Sequence, residues 1–159
     1  MEEPQSIEKL VVENIQELKK YVGQDIALTS YYQIDQSRVD QFATLTEDRQ
    51  WIHTDVERAR RESPHGGTIA HGFLTLSLLN HFLLQAVEVK NVRLGLNYGL
   101  NSVRFPAIVL TGAKIRAQVR LLSVEDITGG IQAVWKFTIT CQGNEKSSCV
   151  AEWVVRYYE

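Results

Sequence analysis

Asp48 and His53 stand five residues apart in a polar window, Leu45-Thr46-Glu47-Asp48-Arg49-Gln50-Trp51-Ile52-His53-Thr54-Asp55. If the loop between them curves, a carboxylate and an imidazole converge on a single water. An imidazole has a reference pKa of about 6.5, so near neutral pH it takes a proton from water and returns it. Adding water to a substrate or removing it needs that chemistry: a base for the water and a donor that returns a proton. A structural reading stands beside it, in which Asp48 caps a turn and His53 sits satisfied at the edge of a core. A second block follows, Gly66-Gly67-Thr68-Ile69-Ala70-His71-Gly72-Phe73. It holds a second histidine, and its glycines permit a tight turn into a helix.

The elements that must position these residues are readable from periodicity. Ile7, Leu10, Val11, Ile15 and Leu18 recur at three- and four-residue steps, which predicts a helix from Ser6, its N-cap, to Tyr21. Residues Ile26 to Ile34 are rich in β-formers and predict a strand. Asp35 is placed to cap a helix running through Leu45, with Val39, Phe42, Ala43 and Leu45 on its buried side. A short helix from Asp55 to about Glu62 and a turn at Ser63-Pro64-His65-Gly66-Gly67 lead to a longer helix, Ala70 to Val87. Its apolar residues lie all round the helical wheel, which predicts burial on every side.

After Asn91 the pattern turns to period two. Strands are expected at about Val92–Phe105, Ala113–Val124, Ile131–Cys141 and Lys146–Tyr157, with hairpin turns at Gly129-Gly130 and Gly143-Asn144. The reading is an α+β fold in which a four-stranded antiparallel meander wraps around the apolar helix.

Composition bounds the rest. The chain has 159 residues, which suits one domain spanning 1–159, with an N-terminal helix at 6–21 and a core at 22–157. Lys plus Arg number 17 against 19 Asp plus Glu, a net charge of -2, so no basic excess points to nucleic acid or to an anionic membrane. The acidic start Met1-Glu2-Glu3-Pro4 is unlike a signal peptide, and the longest apolar stretch is broken by His71, Asn80, His81 and Gln85. A soluble, cytoplasmic protein is expected. Cys141 and Cys149 are too few for a disulfide framework and read as buried thiols, with one hairpin disulfide as the alternative. No metal-binding spacing is present.

The two blocks, Glu47-Asp48-Arg49-Gln50-Trp51-Ile52-His53 and Gly67-Thr68-Ile69-Ala70-His71-Gly72-Phe73-Leu74-Thr75, resemble the MaoC-like, or hydratase-2, family of (R)-specific enoyl-CoA hydratases. Their wording is that of the nodulation-protein-N branch, and the likeness runs from about Val22 to Tyr157. The resemblance implies the hot-dog fold, a curved antiparallel sheet around a long central helix. It implies Asp48 and His53 as a catalytic dyad, although Gln50 and Trp51 replace the Asn and Pro of the family's common wording. It implies that the backbone N–H of Gly72 holds the enolate oxygen. Such a role suits a helix start, where N–H groups lack internal partners and meet developing charge.

His71 either contacts substrate or orders the loop by hydrogen bonding. His65 reads as a solvent-facing loop residue and His81 as structural. Asn80 falls where the family carries a small polar residue that supports the aspartate, and Ser77 shares its helix face. In Asn97-Tyr98-Gly99-Leu100-Asn101-Ser102-Val103-Arg104-Phe105, Gly99 suggests a bulge or a close approach by a ligand. Asn101 and Arg104 either line the pocket or face a neighbouring subunit. The implied activity is reversible hydration of trans-2-enoyl thioesters to (R)-3-hydroxyacyl thioesters by a homodimer, with the substrate on CoA or an acyl carrier and no cofactor. Two alternatives share the fold: an acyl-CoA thioesterase, and a non-catalytic acyl-thioester-binding protein.

Overall fold

Every second side chain of three consecutive strands is buried, and that alternation builds the core. The computed structural model describes residues 8–159. The strands are β6 (Lys114–Ile127), β7 (Gly130–Cys141) and β8 (Ser147–Tyr158), paired antiparallel in sequence order. Their inward residues include Ile115, Val119, Leu121, Trp135, Phe137, Ile139, Ala151 and Val155. They share one core with Leu74, Leu79, Phe82, Leu83 and Ala86 of the central helix. The hairpin between β6 and β7 depends on its two glycines. Gly129 adopts φ 79°, and Gly130 lies so close to the Tyr157 carbonyl that no Cβ fits there.

The sheet is antiparallel and open, in the order β2-β6-β7-β8-β5, with β3 also on β6. Here β2 is Asp25–Leu28, β3 is Tyr32–Gln33 and β5 is Leu94–Arg104. The expected four-stranded meander is therefore three strands plus one. β5 does not pair with its successor β6; it lies on the far side of β8. The connection after β5 is too long for a tight hairpin, and it is tied elsewhere. Ala70 N–H donates to the Val109 carbonyl at 2.8 Å and Thr111 N–H to the Thr68 carbonyl at 2.9 Å.

The N-terminal helix expected over 6–21 is replaced by two other elements, and Ser6 lies outside the described residues. A strand β1 (Leu10–Val12) pairs in parallel with β4 (Val87–Val89). A 3₁₀ helix then spans Ile15–Tyr21, capped by the Asn14 side chain, which accepts from Glu17 N–H. The β-branched Val11-Val12 pair favours the strand. The helical spacing still turns Ile15 and Leu18 into the core. The strand expected over 26–34 is interrupted where buried Thr29 uses its own hydroxyl to accept from Ala117 N–H at 2.9 Å.

The helix expected over 70–87 is two segments, α4 (Gly72–Ser77) and α5 (Leu79–Ala86), joined at Leu78. It is not buried on every side. Phe73 and Leu84 are 70% and 60% exposed, and Ser77 and Asn80 lie exposed between them on one helix face. Before them come α1 (Gln36–Thr46), α2 (Trp51–Thr54) and α3 (Val56–Glu62). Asp35 caps α1 as expected, and Val39 and Ala43 are buried, but Leu45 points outward at 81% exposure.

Candidate active site

The loop carrying Asp48 begins at a left-handed residue. α1 ends at Glu47, whose φ is 62°, a conformation costly for a residue with a Cβ. It turns the chain sharply into Asp48-Arg49-Gln50. The Gln50 carbonyl then accepts from His53 N–H at 3.0 Å and Thr54 N–H at 3.3 Å, which winds the single turn α2. Trp51 opens that turn, at the position where the family's common wording has proline. Proline suits a first helical position because its N–H would be unsatisfied there anyway. Trp51 keeps the turn without it, and the Arg58 guanidinium stacks 4.3 Å from its ring centre.

This turn brings the two residues together. The ligating atoms of Asp48, His53 and His71 all lie within 4.8 Å of one another. His53 is buried, and its Nδ1 lies 2.7 Å from the Ile69 carbonyl oxygen. A carbonyl only accepts, so Nδ1 carries the proton. In the neutral ring Nε2 is then left with its lone pair. The Asp48 side chain is 45% exposed, so a partly wet carboxylate stands beside a buried base.

His71 is 3% exposed. Its Nε2 donates to the Asp48 backbone carbonyl at 2.9 Å and lies 4.0 Å from the carboxylate. Its ring stacks on that of His53, centroids 3.7 Å apart and planes 24° apart, and Phe42 packs 5.0 Å away. Of the two readings of His71, the geometry matches loop ordering.

Gly72 is the first residue of α4. The preceding His71 carbonyl takes the bonds from Leu74 and Thr75 N–H, and the first-turn N–H of Gly72 has no intrahelical acceptor. The structure thus brings Asp48, His53 and His71 together, with Gly72 next in the chain to His71. It does not bring Ser77 or Asn80 to Asp48. The Ser77 hydroxyl donates to the Leu74 carbonyl of its own helix at 2.7 Å, and no hydrogen bond joins Asn80 to the aspartate.

Asn80 lines two neighbouring hollows along the central helix. One, of about 410 Å³, also touches Phe42, Phe73, Ser77 and Leu100. The other, of about 540 Å³, also touches Leu84, Val87 and Tyr157. Both share Asn97 and Trp153, whose side chains are joined by a 2.7 Å bond from the indole N–H. Asn101 lines neither hollow. It sits in the register shift between Leu100 and Ser102 on exposed β5, and Asn97 holds the lining position instead. A second shift falls between Asn97 and Gly99, where the glycine suggested a bulge.

Sequence reasoning missed Gln36. Its amide donates to the His53 carbonyl at 2.7 Å and accepts from the Thr68 hydroxyl at 2.6 Å, locking both motif blocks to the start of α1. A glutamine at a helix start carries no spacing signal that reveals such a tie. His65 is exposed in its loop. His81 is structural, taking a hydrogen bond from Gln85 at 2.9 Å and packing on Tyr32 at 4.5 Å. Cys149 is buried and Cys141 half-buried, both as free thiols. Among the described residues no helix is long and apolar enough to cross a membrane.

A family model described as "MaoC like domain" matches residues 17–140. The chain is 45% identical over 146 residues to the 3-hydroxyacyl-thioester dehydratase Z of Mycobacterium tuberculosis, covering 91% of this chain and 96% of that one. It is 38% identical over 136 residues to Nodulation protein N of Rhizobium leguminosarum bv. viciae, covering 84% of each. Among solved structures it is similar to the (R)-hydratase from A. caviae involved in PHA biosynthesis. That likeness has a TM-score of 0.69 at 27% identity, over 84% of this chain and 94% of that one.

Proposed function

This chain belongs to the MaoC-like domain family, and on that footing we propose that it is an (R)-specific enoyl-thioester hydratase, acting reversibly as a 3-hydroxyacyl-thioester dehydratase. The observation that carries the reading is the state of His53. Its Nδ1–H is committed to the Ile69 carbonyl, which leaves Nε2 as a base beside the Asp48 carboxylate.

The thioester carbonyl is taken up by the Gly72 N–H, which makes the α-carbon more acidic and the β-carbon electrophilic. Asp48 orients a water, and His53 Nε2 removes its proton as the oxygen adds to the β-carbon. The pair then delivers a proton to the α-carbon from the same face, giving the (R)-3-hydroxy thioester. Dehydration runs the same steps backwards. The reaction moves only water and protons, so this scheme calls for no redox group or metal. The substrate is carried as a CoA or acyl-carrier thioester.

The assembly proposed is a homodimer, in the cytoplasm. β5 forms a sheet edge, and Leu94, Leu96, Tyr98 and Leu100 along it are each more than two-fifths exposed. A long apolar edge of this kind is a surface proteins normally cover.

The deciding experiment follows crotonyl-CoA by loss of its enoyl absorbance, with CoA thiol release measured in parallel. Hydration without thiol release supports the hydratase. Thiol release without hydration supports a thioesterase, and neither activity supports a binding protein.

A further inference from the structure

Phe105 lies on Gly72. A Cβ built on that glycine would sit 3.2 Å from three ring carbons of Phe105. The direction matters, because Cα–Cβ bonds in a helix tilt towards its N-terminus, and first-turn N–H groups face the same way. The ring and the Gly72 N–H therefore border the same space, the one the thioester carbonyl fills in the reaction proposed above.

The ring is held there by construction. Phe105 directly follows the last residue of β5 and precedes Pro106, which restricts its backbone to extended conformations. The connection beyond it is bonded to Thr68 and Ala70 just ahead of α4, and Ile69 and Leu110 form a β-bridge. Phe73 packs edge-on against the ring at 6.2 Å. Phe105 is nevertheless 41% exposed, an apolar surface left open beside a polar site.

An enoyl thioester has two electrophilic carbons, and a hydratase must let water reach only one. We propose that Phe105 is the wall that makes this choice. By covering the Gly72 side of the site it keeps water from the carbonyl carbon, so that the water held by Asp48 and His53 adds at the β-carbon and the thioester survives. Without the wall, water adds to the carbonyl carbon and loses a proton to solvent or to His53. The carbonyl then re-forms, the C–S bond breaks, and the thiolate leaves with that proton. The products are the free acid and the thiol, with no further reactant. Exclusion of side reactions of this kind is one function of a closed site.

The inference rests on the hydratase reading, and the experiment separates the two. Crotonyl-CoA hydration and CoA thiol release are measured for wild type, Phe105→Leu and Phe105→Ala, and thiol release also from butyryl-CoA, which cannot be hydrated. Thiol release should rise in the order wild type, Leu, Ala, by about tenfold at Ala, while hydration falls. A merely structural role would lower both activities together. Leu retains much of the packing and carries the test if Ala costs the fold. Flat thiol release across the series, or a parallel fall of both activities, overturns the wall with the hydratase reading intact. A wild type that does not hydrate overturns that reading, and the wall with it.

Discussion

The imidazole of His71 lies flat against that of His53, 3.7 Å between centroids, while its Nε2 holds the backbone of Asp48 at 2.9 Å. One buried ring thus sets the position of both Asp48 and His53. Replacing His71 with Ala should release the Asp48 loop and remove a part-buried hydrogen bond, at about 0.5–1.5 kcal/mol of stability before the lost packing of the ring. The hydration rate should fall by about tenfold or more. His71→Gln retains an N–H donor at similar reach and should recover part of the rate with KM little changed. Equal rates for the Ala and Gln variants would show that the donor to Asp48 does not matter.

In the proposed mechanism Asp48 and His53 act on one water, which predicts that their losses do not add. Asp48→Asn and His53→Ala are each expected to remove most (R)-hydration, with the double variant little worse than either. Asp48 is partly exposed and a carboxamide is nearly isosteric, so Asp48→Asn should melt close to wild type. Hydration rates and melting temperatures of the three variants check this. Near-normal turnover in either single variant removes the dyad from the mechanism.

The convergence of Asp48 and His53 was legible because their spacing is local: five residues wind one turn, and the second block supplies the helix start. The β6–β7–β8 core was legible because alternation and glycine hairpins are also local signals. The failures have a common origin in partners distant along the chain. Val11 and Val12 became a strand because Val87–Val89 lies alongside, and β5 left the meander because its connection is bonded to Thr68 and Ala70. Gln36 reaches His53 and Thr68 from the start of α1, and no period announces it. Ser77 and Asn80 share a helix face, as the three-residue step required, but that face opens on the hollows and not on Asp48.

Gly72→Val tests the oxyanion donor, and the structure names what the new side chain meets. The neighbour is the Phe105 ring, which is 41% exposed and need give only a few tenths of an ångström. The strain should therefore be at the low end of the ~1–3 kcal/mol typical of overpacking. The rate should suffer far more, because the thioester loses its seat; removing one oxyanion donor costs about 10²–10³ in kcat. The expected result is a melting temperature within a few degrees of wild type and hydration reduced at least ~10²-fold. Wild-type hydration by this variant would clear Gly72 of the role.

Burial pushes the Cys149 thiol up to about 11, and it also raises the Tyr157 hydroxyl. An unfolded cysteine releases its proton near about pH 8.5, while the folded one holds it. Across that interval the unfolded chain binds fewer protons, so stability falls as pH rises and is unaffected below it. Urea midpoints should therefore drop between about pH 8 and about pH 11, with a shallower drop in Cys149→Ala. An identical pH dependence in the two proteins would remove Cys149 as a source.

β5 carries the last expectation, because one strand combines an unpaired backbone edge with a run of exposed apolar side chains. Phe73 and Leu84 on the central helix, and Ile108 and Leu110 after β5, add to the exposed apolar surface. An exposed edge of this length invites pairing with another chain, and self-pairing across a two-fold axis covers both copies of β5 at once. Light scattering at micromolar concentration should give twice the 18.1 kDa chain mass. Leu96→Lys and Leu100→Lys place like charges on the edge, so together they should shift the mass towards the monomer. A monomeric wild type, or a doubly substituted chain that still dimerises unchanged, would place the contact somewhere other than β5.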